Sequence, residues 1–162
     1  MQTNDRAKEF IKHLENNFSN DAAAKACFRR GLGNSNRLQA LPLLGRFLDD
    51  ENDKISNYVV VAALWADSDC QQDDVDLGSA CARLAKDYSS FEGRFRRLIS
   101  CDRKEIATYV VPVVRALNSK GIRIDFSLLL TDLLLWGDRV KIDWSRSFWR
   151  DGECQNEKQS EE

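Results

Sequence analysis

The chain has 162 residues, of which 43 % are apolar and 31 % charged, with only eight glycines and two prolines. That is enough apolar material for a compact core and too little glycine and proline for long flexible linkers. The formal net charge of −2 excludes a uniformly basic protein, and no run reaches the roughly 18 apolar residues that a membrane-spanning helix needs.

In chain order the apolar residues recur with a helical period, and no segment alternates with the two-residue period of a strand. Helices are expected near 5–18, 22–31, 36–49, 54–66, 77–87, 90–100, 103–118, 126–136 and 139–149. Asp21 and Asn36 suit N-caps, and Gly31 and Gly33 suit the left-handed turn that ends a helix. Gly121 separates two helices, Asp125 is placed to cap the next, and Gly137 to end it. Pro112 removes a backbone donor inside 103–118, so a kink or break is expected there. The most apolar stretch, Phe126 to Trp136, is interrupted by Ser127, Thr131 and Asp132. The expected fold is all-α: a compact single-domain bundle of about eight to nine helices over residues 1–150, followed by a polar, disordered tail at 151–162. The first residues, Met1-Gln2-Thr3-Asn4-Asp5, lack the basic start and apolar core of a signal peptide, so a cytoplasmic protein is expected.

Charge is unevenly spread. Residues 25–48 hold five basic residues and no acid, whereas 49–78 hold nine acids and one lysine. Residues 79–120 hold nine basic residues against four acids, and 151–162 five acids against one lysine. Two basic blocks are thus masked by an acidic segment and an acidic end. Local potential, not net charge, decides where a polyanion binds. On the helix beginning at Phe91, steps of 100° put Phe91, Phe95, Leu98 and Ile99 on one buried stripe. Arg94 and Arg97 fall on one flank and Arg96 on the other. Leu77, Cys81 and Leu84 form the stripe of the preceding helix, with Arg83 on the corresponding flank. If these helices are neighbours, Arg83, Arg94 and Arg97 line one strip.

Little in the sequence points to catalysis. His13, the only histidine, lies in a charged amphipathic helix and reads as an ordinary surface residue. There is no P-loop and no G-x-G-x-x-G, and the five cysteines form no C-x-x-C pair; reduced thiols filling small core spaces are expected. A calcium loop starting at Asp67 would put Gln72 where a glycine is needed and Gly78 where the closing glutamate belongs, so a solvated acidic loop is the better reading. Trp136 and Trp144 fit core positions, and Trp149 is left open between core and base stacking. No metal and no cofactor is expected. The arginines are the informative residues, because a guanidinium forms forked hydrogen bonds to phosphate oxygens and keeps its charge at any relevant pH.

The ordered series of these features resembles the CasB-type small subunits of the type I-E CRISPR complex called Cascade. Phe28-Arg29-Arg30-Gly31-Leu32-Gly33 is similar to the arginine-pair helix end near the start of that family. Leu77-Gly78-Ser79-Ala80 through Arg83-Leu84, then Phe91 to Arg97, Leu98-Ile99 and Asp102-Arg103, resemble its central pattern. Asn118-Ser119-Lys120-Gly121-Ile122, Asp125-Phe126, Leu129 and Leu133 to Trp136 resemble its lysine–glycine turn and following apolar helix. Trp144, Phe148 and Trp149 are similar to its aromatic closing helix. The resemblance implies an all-helical, non-enzymatic subunit that assembles as a pair with other Cascade subunits. It also implies contacts to guide RNA and target DNA backbone, especially the displaced strand of the R-loop, in antiviral defence. It assigns binding to Arg29, Arg30, Arg94, Arg97 and Arg103, with Arg83, Arg96 and Lys120 in support. The alternative is a protein–protein adaptor whose arginine clusters pair with acidic partner surfaces.

Overall fold

The structure, a computed structural model, describes the backbone of residues 2–33, 37–49, 52–68 and 74–160, and their side chains except at 37, 48–49, 52–53 and 151–160. The chain forms α1 (Thr3–Phe18), α2 (Ala22–Arg30), α3 (Arg37–Leu44), a 3₁₀ turn (Gly45–Asp49), α4 (Asn52–Asp67), α5 (Leu77–Asp87), α6 (Phe91–Ser100), α7 (Ile106–Ser119), α8 (Phe126–Leu134) and α9 (Asp138–Ser160). Among the described residues there is no strand, so the all-α expectation holds. Contacts divide the chain into two compact units, residues 1–71 with α8, and residues 72–125 with 135–162.

In the first unit, α1 packs on α8 and α2 on α4. The apolar stripe of α1, Ala7, Phe10, Ile11 and Leu14, is buried. Phe10 meets both Phe47 and Tyr58 edge-on at 5.0 Å between ring centres, the geometry that the ring quadrupoles favour. His13 departs from the surface reading. It is half-buried, with Nε2 3.1 Å from the Leu43 carbonyl and Nδ1 3.2 Å from the Asn17 amide, so both ring nitrogens serve packing. Asp21 caps α2 as expected, accepting the Ala24 N–H at 3.0 Å. Gly31 corrects an expectation: its φ is −62°, not left-handed. Gly31 is small for another reason. A Cβ there would lie 3.1 Å from the Phe28 carbonyl oxygen and 3.2 Å from a Val59 methyl. The helix expected over 36–49 is instead α3 and a 3₁₀ turn, divided by Gly45 at φ +53°; Asn36 lies outside the described residues.

In the second unit, the principal pairing is α5 against α9. Asp76 holds the α5 N-terminus with both oxygens: Oδ1 accepts the Ser79 N–H at 2.9 Å and Oδ2 the Ser147 hydroxyl of α9 at 2.7 Å. Phe95 of α6 stacks on Phe148 of α9 at 4.1 Å. Trp136 and Trp144 are buried, as expected, with centroids 4.9 Å apart, and the Trp136 indole donates to the Cys101 carbonyl at 2.9 Å. The helix expected from 103 begins at Ile106, because Asp102 Oδ1 takes the N–H groups of Lys104 and Glu105. Arg103 therefore sits in the turn before α7. Pro112 does not break α7, which continues to Ser119. Gly121, at φ +70°, makes the expected turn after α7. Asp125 lies before α8 and accepts the Asp74 N–H at 3.0 Å. Cys81 and Cys101 are buried free thiols and Cys27 a half-buried one, in keeping with small fillers; Cys70 and Cys154 lie outside the described side chains. Most of the acidic loop, 69–73, also lies outside the described residues, as do the side chains of the tail read at 151–162; the backbone of 151–160 continues α9.

Candidate nucleic-acid interface

The second unit assembles its basic residues on one helix and its neighbours. α6 has a sharply two-sided sequence: Phe91, Phe95 and Leu98 are buried and Ile99 half-buried, while Arg94, Arg96 and Arg97 remain exposed. Burying that apolar stripe forces the arginines outward, since an unpaired charge cannot be buried cheaply. α6 packs against α5, α7 and α9, and the seam between α6 and its neighbours leaves two concavities. One, of about 200 Å³, is lined by Leu84, Tyr88, Phe91, Arg94, Ser119 and Lys120. The other, of about 370 Å³, is lined by Arg96, Arg97, Ser100, Cys101, Glu105 and Tyr109.

The eight candidate residues differ in what already occupies them. Among the described residues no hydrogen-bond or ion-pair partner holds the guanidinium groups of Arg30, Arg83, Arg94 or Arg97, all of which are exposed. Arg29 is 3.6 Å from the Asp67 carboxylate and also donates to the Lys25 carbonyl at 3.3 Å. Arg96 is paired with Glu92 at 3.1 Å and lies 5.4 Å over the Trp149 ring. Arg103 donates to the Trp136 carbonyl at 3.4 Å. Lys120 Nζ stands 4.8 Å over Tyr88. The structure thus brings Arg94 together with Lys120, and Arg96 with Arg97. Of the expected strip, Arg83, Arg94 and Arg97 are all exposed on the packed neighbours α5 and α6, with Arg94 lining one concavity and Arg97 the other. Arg29 and Arg30 belong to the first unit.

Trp149, left open between core and stacking, is half-buried against Phe95 at 5.6 Å and Phe148 at 5.0 Å. Its indole donates to Glu92 Oε1 at 3.1 Å. That bond, then the bond and charge of Arg96, hold the Glu92 carboxyl below the usual glutamate value. Burial, with a smaller contribution from Asp76, pushes the Cys81 thiol far above its ordinary range, so it is inert at neutral pH. Among the described residues no three His, Cys, Asp or Glu side chains come together to hold a metal, and no helix is long and apolar enough to cross a membrane.

Two residues were missed in the sequence. Tyr88 and Tyr109 are 45 % and 46 % exposed, and each lines one of the basic concavities. The tryptophans are packing groups: Trp65, Trp136 and Trp144 are buried and Trp149 is half-buried. A tyrosine within a few residues of a basic block, off the apolar stripe of its helix, was the available signal.

The sequence profile described as CRISPR-associated protein Cse2 matches residues 24–149. A Thermus thermophilus protein described as CRISPR-associated protein Cse2 is 32 % identical over 173 residues, covering 99 % of this chain and 98 % of the relative. The crystal structure of CasB from Thermus thermophilus matches with a TM-score of 0.75 at 31 % identity, covering 92 % of this chain and 99 % of that one. A chain from a structure described as a CRISPR RNA-guided surveillance complex matches with a TM-score of 0.83 at 22 % identity, over 97 % of this chain and 99 % of that one, and so shares the fold.

Proposed function

This chain belongs to the CRISPR-associated Cse2 family, and from that membership we propose that it is a non-catalytic subunit of the RNA-guided surveillance complex Cascade, acting through its basic surface on nucleic-acid backbone. It sits beside other Cascade subunits and a second copy of itself, in the cytoplasm. Its cations contact guide RNA and target DNA and hold the displaced strand. The physical need is clear. Exchanging a DNA duplex for a guide–target heteroduplex is nearly balanced in energy, so contacts that hold the displaced strand tip it toward the open state. Contacts of this kind position the strand without reading its sequence.

The observation that carries this reading is the set of exposed guanidinium groups of Arg83, Arg94 and Arg97 on α5 and α6, which no acidic side chain among the described residues neutralises. Arg30 adds a similar group in the first unit. Arg29, Arg96 and Arg103 have local partners, so their share in binding is smaller. The test is reconstitution of the surveillance complex with wild-type chain or with Arg94→Glu, Arg97→Glu chain. The lifetime of the opened target is then read from the reactivity of its unpaired thymines to permanganate. Normal assembly with a shortened lifetime is expected. Failed assembly, with unchanged binding of free DNA, would instead establish the adaptor alternative.

A further inference from the structure

The concavity at the junction of α5, α6 and α7 combines three features. Tyr88, at the end of α5, is 45 % exposed although aromatic. Lys120, at the end of α7, places its ammonium 4.8 Å from the centre of the Tyr88 ring. Arg94, one turn into α6, lines the same space and is exposed, with no acidic partner among the described residues. Among the described residues no acidic side chain lines this concavity, whereas Glu105 lines the larger one beside Arg96 and Arg97. A cavity with two cations, no carboxylate among the described residues and a half-exposed aromatic ring with a cation over it suits a ligand that is at once flat and anionic.

We propose that this concavity is a single-nucleotide subsite: Tyr88 stacks on one unpaired base of a DNA strand while Lys120 and Arg94 take the phosphates beside it. The inference rests on the nucleic-acid reading above and adds to it a stacking residue and a preference for single strands. Stacking needs a base with a free face. A duplex, whose base faces are covered by their neighbours, offers the site phosphates alone. The larger concavity is the weaker candidate, because Arg96 is already engaged with Glu92 and Trp149 and Glu105 repels phosphate.

The test measures binding of the full chain to fluorescent oligothymidylate, to an abasic strand of the same length, and to duplex DNA. Tyr88→Ala is expected to weaken oligothymidylate binding about ten-fold, within the range for removing one base–aromatic stack, and to leave the abasic strand and the duplex unchanged. Tyr88→Phe should bind like wild type. Tyr88→Leu, which keeps apolar bulk but no π face, should behave like Tyr88→Ala, so a packing defect is separable from lost stacking. Equal affinity of wild type and Tyr88→Leu for oligothymidylate would overturn the subsite while leaving backbone binding standing. A Tyr88→Ala loss of the same size on the abasic strand would do the same. A wild type that binds none of the three would overturn the subsite and the underlying reading together.

Discussion

Gly78 of α5 lies against the backbone of Trp144 on α9: a Cβ on Gly78 would fall inside the contact distance of the Trp144 carbonyl and 3.0 Å from the Ser147 Cβ. This explains the leucine–glycine pattern at 77–78 by packing, since any larger residue drives apart the two helices that form the centre of the second unit. Gly78→Ala is expected to cost about 1–3 kcal/mol through overpacking, read from the urea midpoint. Gly93, on α6, is the control. Its added Cβ would meet nothing within 4 Å, so Gly93→Ala should stabilise by about 0.5–1 kcal/mol.

Asp76 joins two functions in one carboxylate, capping α5 and accepting the Ser147 hydroxyl. Asp76→Ala is expected to cost about 1–2 kcal/mol, and Ser147→Ala about 1 kcal/mol. Because both changes remove the same hydrogen bond, the double variant should lose less than the sum of the two. Denaturant unfolding of the four proteins measures the coupling.

Glu92 ties Trp149 and Arg96 together. Its folded carboxyl is held low by the Trp149 hydrogen bond first and Arg96 second. A lowered folded value means that the contribution to stability is complete above the ordinary glutamate range and is lost as pH falls through the lowered value. Glu92→Gln should therefore flatten part of the acid-side decline in the thermal midpoint. The same change frees Arg96 and removes a negative charge beside the basic surface, so single-stranded DNA should bind roughly three-fold more tightly at low salt.

Salt offers a further check. If about five cations, taken as Arg30, Arg83, Arg94, Arg97 and Lys120, meet single-strand phosphates, log affinity should fall against log salt with a slope of about −3.5. Arg97→Ala should make that slope shallower by about 0.7. A titration of affinity over salt measures both, and a flat dependence would contradict phosphate binding.

The helices were legible because their apolar residues keep a 3.6-residue period, and Asp21 shows that capping chemistry was legible too. Gly31 was misread because a glycine gives the same letter for a positive φ and for close packing, and only the approach of Phe28 and Val59 separates them. The surroundings of the arginines were not legible for a related reason. Angles around α6 place Arg94 and Arg97 on their own helix, but which neighbour stands opposite depends on how α7 packs. Its end supplies Lys120 to the concavity of Arg94, and its start, from Glu105 before the helix to Tyr109 in the first turn, lines the space beside Arg97. Nor does sequence show which cations are already occupied. Asp67 stands 38 residues from Arg29 and Trp136 stands 33 from Arg103, separations that only the fold closes.

The most direct measurement is the affinity of the purified chain for a fluorescent single-stranded DNA, wild type against Arg94→Glu, Arg97→Glu, at two salt concentrations, with circular dichroism to establish intact helices. Salt-sensitive, sequence-tolerant binding that the charge-reversed chain loses is the expected result. A well-folded wild type whose affinity is indifferent both to salt and to the reversal of these two arginines would contradict a backbone-binding surface on α6.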